Sequence, residues 1–376
     1  MSDKIKNIVV TVTFLLLVMG IFAANLIYPD IDVSVSERRL LSKKPQADAA
    51  DFLKKEIYKE YENYFLDQFI LRDTFRTLKT FGKYNLLHIR DSNGVYLVNG
   101  GIYKMEYPLN ERSILLAAEK FNQISEKYLK DMNIYYSIIP DKNYFVAEKN
   151  GYLALNYERL IHLMVENMDD MTYADIFDLL AIDDYYRTDL HWKQESLLPI
   201  AKKLLSSMGK NADSKTIFQL NKLYPFYGSY YGQAALPVKP DMLTYLTNSM
   251  TQGAKAYKYR YAPDNPAEPV LKIEIPVYDI ELFDTIDPYS LFLAGPEAIV
   301  ELINPFGAGL GELYIFRDSF ADALAPLLLE NYSKITLIDI RYADPNLLNM
   351  FINFTHGSDV LFLFSTQILN NSVMFN

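Results

Sequence analysis

Residues 313–340 read LYIFRDSFADALAPLLLENYSKITLIDI, and their pattern decides the fold. An apolar run, Leu313-Tyr314-Ile315-Phe316, stops at Arg317-Asp318-Ser319. A largely apolar segment, residues 320–329, follows, and a second β-type run, Ile335-Thr336-Leu337-Ile338, ends at Asp339. This is the pattern of a strand, a tight turn, a helix and a parallel strand. Ser319 falls where the first strand gives way to the helix. Open α/β folds keep their sites at that carboxyl edge of the sheet. Backbone N–H groups at a helix start are placed to stabilise an oxyanion. On this stretch alone Ser319 is either a nucleophile or a helix N-cap, a task serine performs well. Asp318 reads as a charge at the helix N-terminus, and Pro326 implies a short or kinked helix.

A second stretch, residues 183–193, reads DDYYRTDLHWK. The chain has four histidines, His88, His162, His191 and His356, and one tryptophan, Trp192. A serine hydroxyl is a weak nucleophile until a base takes its proton, and the base works best when a carboxylate fixes its tautomer. Asp189 and His191 supply that pair two residues apart, although the same spacing is common in solvated loops. Trp192 is either a platform for stacking a sugar or a wedge in the core. The other histidines lack metal-type spacing, so no metal or cofactor is expected.

Composition sets the outer limits. A chain of 376 residues makes one large domain or two ordinary ones. Hydrophobic residues make up 50% and charged residues 22%, which describes a packed globular body. A net charge of −10 and a pI near 5.0 imply no basic surface, so nucleic acid is excluded as a partner class. The absence of cysteine excludes disulfides, thiolate metal sites and thiol nucleophiles. Thirty tyrosines and 22 phenylalanines include faces suited to sugars, but most must be core.

Lys4 and Lys6 precede an apolar run at 8–27, broken only by Thr11, Thr13, Gly20 and Asn25. At about 1.5 Å per residue this run crosses a hydrocarbon core of about 30 Å. It is longer than the apolar region of a cleaved signal, about 7–15 residues, and no Ala-x-Ala site follows. The reading is an uncleaved signal-anchor with its lysine end cytoplasmic. The alternative, a cleaved signal peptide, exports the same body. Residues 1–28 are then the cytoplasmic tip and transmembrane anchor, 29–50 a linker, and 51–376 an extracytoplasmic domain.

Within that domain, residues 51–88 read as helix. Asp91-Ser92-Asn93-Gly94 signals a turn before a short strand at 95–98. An amphipathic helix at 111–132 leads to a buried strand at 134–139 and then to Pro140-Asp141-Lys142. A helix near 155–168, a strand near 172–178 and a helix at 193–208 follow. Residues 225–292 read as an insertion of antiparallel strands or long loops, either gripping substrate or merely structural. A helix near 344–354 and a strand at 359–364 close the chain. Alternating helix and strand favour an α/β fold, a mostly parallel sheet flanked by helices, with a β-rich insertion.

Taken together, these stretches resemble a known family. Thr188-Asp189-Leu190-His191-Trp192 is similar to the Asp-His-His-Trp block of the DHHW proteins, with Leu190 replacing the first histidine. Arg317-Asp318-Ser319-Phe320 resembles their Asp-Ser-Phe block, with Arg317 where many SGNH proteins carry glycine. Asp339-Ile340-Arg341-Tyr342, Ser36-Glu37-Arg38-Arg39-Leu40, Asp67-Gln68-Phe69-Ile70-Leu71-Arg72, Pro140-Asp141-Lys142 and Phe226-Tyr227-Gly228-Ser229 also match, in consistent order over about residues 34–366. These proteins are similar to the SGNH-like acetyltransferases of alginate biosynthesis.

The resemblance implies an SGNH-hydrolase-like fold and a triad of Ser319, His191 and Asp189, in reverse chain order to ordinary SGNH hydrolases. The Ser319 amide and a backbone N–H at Gly228 or Ser229 are the candidate oxyanion donors. Lys142 is either a substrate-binding cation or a surface lysine at a strand end. The implied activity is O-acetyl transfer to a cell-surface or secreted polysaccharide, with a membrane-bound O-acyltransferase as acetyl donor. An acetylesterase would use the same triad. An inactive SGNH-like scaffold or glycan-binding subunit is the alternative from another class, and a structural membrane-anchored protein of the envelope is a third. The topology is testable directly. Protease added to intact cells stripped of their wall should digest the chain beyond the linker, and full protection would overturn the signal-anchor reading.

Overall fold

Side chains along a strand alternate between its two faces, and the stretch 313–316 does so without exception. Leu313 and Ile315 enter one apolar cluster, and Tyr314 and Phe316 enter the other. A strand buried on both faces belongs inside a parallel sheet covered by helices. The computed structural model describes residues 2–34, 37–48, 50–86, 91, 94–211, 216–235, 238–261 and 270–375. Ser36, His88, Ser92 and Asn93, named above, lie outside them.

The sheet has eight strands: β1 Asn133–Ile139, β2 Thr172–Tyr173, β3 Lys255–Tyr261, β4 Val270–Ile275, β5 Ile299–Ile303, β6 Glu312–Arg317, β7 Lys334–Ile338 and β8 Asp359–Ser365. Their order across the sheet is β4-β3-β5-β7-β6-β8-β1-β2. The pairs from β7 to β2 are parallel, with Leu313 opposite Ile335 and Asp359. The pairs from β4 to β7 are antiparallel. The fold is α/β with a mostly parallel sheet. Helices Leu198–Ser207 and Phe320–Leu328 cover one face, and helices Glu111–Tyr128 and Tyr157–Asn167 cover the other.

Met1–Ser92 with Tyr231–Pro237 form one compact unit, and Asn93–Tyr230 with Val238–Asn376 form another. The first contains the helix Asp3–Ile27, with mean hydropathy 2.4 and no buried residue, long and apolar enough to cross a membrane. Two sequence blocks noted above meet within this unit. Arg39 grips the Asp67 carboxylate at 2.9 and 2.5 Å, and Arg72 reaches Glu37 at 2.5 Å.

Several sequence expectations need correction. The helix at 51–88 is two, Lys55–Asp67 and Arg72–Phe81, broken where Leu71 turns left-handed at φ 58°. The strand near 172–178 stops at Tyr173, because the Asp175 carboxylate takes the Phe177 amide into a turn at 3.0 Å. The helix expected near 344–354 is only a 3-10 turn, Leu348–Met350. There Pro345 disfavours helical backbone at Asp344. The β-rich insertion does hold antiparallel strands, as two hairpins among the described residues. Gln219–Phe226 pairs with Asp241–Thr247, whereas β3 and β4 extend the main sheet through β5.

Arg317 ends β6 fully buried. Its guanidinium donates to Asp322 and to the Glu297 carbonyl, both at 3.2 Å, and lies 3.5 Å from Asp339. Asp339 also takes a two-point contact from Arg341 at 2.9 and 2.6 Å. Burial pushes the Asp322 carboxyl up to about 7, with Arg317 pulling the other way. A carboxyl raised on folding contributes stability that is complete below its unfolded value of 3.8 and is lost as pH rises through about 7. Asp322→Asn should therefore flatten the fall in stability between about pH 4 and about pH 7. Urea midpoints measured across that range test it, and an unchanged slope would refute the assignment.

Candidate active site

Ser319 follows β6 at the carboxyl edge of the sheet and stands at the N-cap position of helix Phe320–Leu328. Its side chain makes no capping hydrogen bond. Asp318 caps instead, accepting from the Phe320 amide at 3.1 Å and the Ser365 amide at 2.8 Å. That leaves the Ser319 hydroxyl for another partner, and His191 Nε2 lies 2.8 Å from it.

The other ring nitrogen of His191 lies 2.6 Å from Asp189 Oδ1, which also accepts the His191 amide at 2.9 Å. The second carboxylate oxygen accepts the Ser229 amide at 2.6 Å. Asp189 is fully buried, and these three bonds replace the water it has lost. With Nδ1 donating to Asp189, Nε2 is left as an acceptor facing the Ser319 hydroxyl. The three residues named from sequence therefore stand in one relay. Leu190 between them packs against the core.

The remaining sequence candidates take different places. Gly228 and Ser229 are not oxyanion donors. The Gly228 amide donates to Thr188 Oγ1 at 3.0 Å, and the Ser229 amide is spent on Asp189. Gly228 must be glycine for another reason: a Cβ there would sit 2.3 Å from the Asp189 Cβ. Lys142 is neither a surface lysine nor a substrate cation. It is buried, and its ammonium donates to the carbonyls of Ile102, Arg187 and Asp189 at 2.7, 3.1 and 2.9 Å. Burial pushes its amine down to about 7, opposed by Asp189 and Asp241. Trp192 is a core wedge and not a sugar platform. It is fully buried and donates to the Phe320 carbonyl at 2.9 Å. His162 pairs with Glu166 at 2.9 Å, and His356 is exposed 3.9 Å from Asp131.

Tyr289 and Asp241 escaped the sequence reading. The Tyr289 ring lies flat on the His191 imidazole, with centroids 3.7 Å apart and planes 4° apart. Phe320 closes in at 4.8 Å, tilted by 54°. The insertion thus contributes to the site from within, through Tyr289 and through Asp241, which accepts the Thr188 amide at 2.7 Å and the Thr188 hydroxyl at 2.6 Å. Nothing around Tyr289 in the sequence marks it, because the contact spans about a hundred residues of chain.

With this geometry in place, the comparisons with known proteins are informative. The DHHW protein family model matches residues 121–338. This chain belongs to the DHHW family. A DHHW family protein from Eubacterium siraeum superposes with TM-score 0.59 at 20% identity, over 74% of this chain and 93% of that one. PatB1 of Bacillus cereus superposes with TM-score 0.56 at 14% identity, over 73% of this chain and 96% of that one. The same protein with a sulfonyl adduct gives 0.55 at 15%, over 73% and 95%. These likenesses show a shared fold. No curated protein matches by sequence.

Among the described residues the Tyr289 hydroxyl is buried without a hydrogen-bond partner. An unsatisfied buried hydroxyl costs about 1–3 kcal/mol. Tyr289→Phe should keep the stacked ring and raise unfolding stability by up to that amount. Chemical denaturation reads the change, and a clear loss of stability would show that the hydroxyl has a partner.

Proposed function

We propose that this DHHW protein is a membrane-anchored, extracytoplasmic O-acetyltransferase, or an acetylesterase, acting on a cell-surface or secreted polysaccharide. The observation that carries the reading is the Ser319–His191–Asp189 relay, with contacts of 2.8 and 2.6 Å at the carboxyl edge of the sheet. Family membership and the resemblance to SGNH-like acetyltransferases support the same class of chemistry. The proposed division of the chain is an anchor at 1–28, a linker at 29–50 and the SGNH-like domain at 51–376.

In this mechanism His191 Nε2 takes the Ser319 proton as Oγ attacks the carbonyl carbon of an acetyl ester. The Ser319 amide, at the start of the helix, is the oxyanion donor. His191 then returns the proton to the departing alcohol, leaving an acetyl-serine. An acceptor hydroxyl of the glycan gives its proton to His191 and attacks that ester, and His191 returns the proton to Ser319 Oγ as it departs, which frees Ser319 and places the acetyl group on the polysaccharide. In an esterase, water takes the acceptor's place. Asp189 holds the tautomer and stabilises the imidazolium that forms between the two transfers. A membrane-bound O-acyltransferase is the proposed acetyl source. The anchor would keep the domain on the outer face beside it.

The triad acts as a unit, so Ser319→Ala and His191→Ala should each remove most turnover of an acetyl-ester reporter, and the double change should cost little more. Asp189→Asn should leave the fold in place and impair turnover by favouring the wrong tautomer. A sulfonyl fluoride should add mass at Ser319 in the parent chain and none in Ser319→Ala. Turnover by Ser319→Ala equal to the parent would overturn the role given to Ser319, and no turnover by the parent would leave the scaffold reading in its place.

A further inference from the structure

Phe75, Leu78 and Phe81 recur at steps of three residues, so they form one stripe on helix Arg72–Phe81, and Leu71 stands at its left-handed N-cap. In a helix at a water-facing surface such a stripe turns inward. Here the four side chains are 64, 49, 62 and 50% exposed. The opposite, charged face does the packing. Arg72 and Arg76 reach Glu37 at 2.5 and 3.1 Å, and the buried Thr80 donates to the Arg76 carbonyl at 3.0 Å. The helix thus stands inside out relative to water. Phe65, Leu66 and Phe69, just before it, are exposed as well.

The chain also shows where this face lies. The Ile70 amide, one residue before Leu71, donates to Asn25 Oδ1 at 2.7 Å. Asn25 stands in the last turn of the apolar helix Asp3–Ile27, and both helices belong to the same compact unit. The loop that opens the stripe is therefore pinned at the end of the one helix, among the described residues, suited to crossing a bilayer. That is the depth at which hydrocarbon gives way to headgroups, and exposed Tyr28 follows there as interfacial aromatics do. Amphipathic helices that lie in this layer bury an apolar face and hold lysine and arginine toward the headgroups. Lys79, exposed in the last turn, supplies a cation, while Arg72 and Arg76 are held by Glu37.

We infer that Leu71 and the Phe75, Leu78 and Phe81 stripe lie in the outer interfacial layer of the lipid bilayer, making a second membrane contact beside the anchor. This rests on the reading of residues 3–27 as a spanning helix. The second contact holds the segment that leaves the membrane at a fixed depth and orientation, where a single flexible tether would leave it free to swing.

The absence of cysteine allows single reporters in the full chain. Phe75→Cys and Leu78→Cys carry a fluorophore in vesicles of phosphatidylcholine and phosphatidylglycerol. Leu16→Cys serves as the membrane reference and Glu126→Cys as the aqueous one. Labels at 75 and 78 should be quenched severalfold more by a nitroxide placed near the lipid headgroups than by iodide, with the reverse at 126. Labels at 75 and 78 open to iodide while 16 is quenched by lipid nitroxide would overturn the second contact and spare the anchor. Label 16 open to iodide would overturn both. Labels at 75 and 78 shielded from both quenchers would show that protein covers the stripe, which also overturns the proposal.

Discussion

The site depends on one constraint, the full burial of the Asp189 carboxylate. A charge taken out of water is costly unless hydrogen bonds replace its hydration. Here the replacements are the His191 amide, the Ser229 amide and the His191 ring. Each of those bonds fixes a different segment. The His191 amide closes the 189–191 turn on itself. The Ser229 amide draws the 226–229 segment against it, and only glycine at 228 leaves room for that approach. The ring bond sets the orientation of the base. The carboxylate that would tune the chemistry is also the knot that joins the insertion to the sheet edge.

A second division of labour sits at the end of β6. A serine at an N-cap position ordinarily spends its hydroxyl on the helix. Asp318 takes over that duty and ties in the end of β8, so the Ser319 hydroxyl is released toward His191. Arg317 turns beneath the same corner into a buried set of carboxylates with Arg341 beside it. A buried guanidinium thus lies under the turn.

Features set by neighbours in sequence were legible, and features set by distant chain were not. The apolar run at 313–316 reads as a strand, and the Arg317-Asp318-Ser319 break reads as its end. The Asp189 and His191 pair was legible because their bond is local. Lys142 was misread because its three acceptors lie 40 to 47 residues away, and a lysine after a strand carries no mark of burial. Gly228 and Tyr289 carry no mark of their contacts in the sequence for the same reason, and for Trp192 the sequence leaves two readings of which the structure shows the core wedge. Their roles come from Asp189, His191 and Phe320, which approach only in the folded chain. The absent helix near 344–354 was a local error, since Pro345 was in plain view.

The order of the relay residues along the chain poses a geometric problem that the same distant contacts solve. Ser319 follows β6, but the Asp189 and His191 loop leaves the sheet after β2, with β8 and β1 between. The loop must run back over the carboxyl ends of those strands to reach the serine. It is held along the way. The Tyr185 hydroxyl donates to the Pro140 carbonyl just beyond β1, and Lys142, also beyond β1, holds the carbonyls of Arg187 and Asp189. On the far side Trp192 donates to Phe320 and Gln194 to Ala323, both on the helix that Ser319 begins. A loop fastened at both ends of its crossing has little freedom left at His191, and Tyr289 removes more by lying flat on the ring. A positioned base needs such restraint, since effective molarity falls steeply with misplacement. Lys142 therefore bears on the candidate site without facing it, by fixing where the Asp189 and His191 loop crosses the sheet.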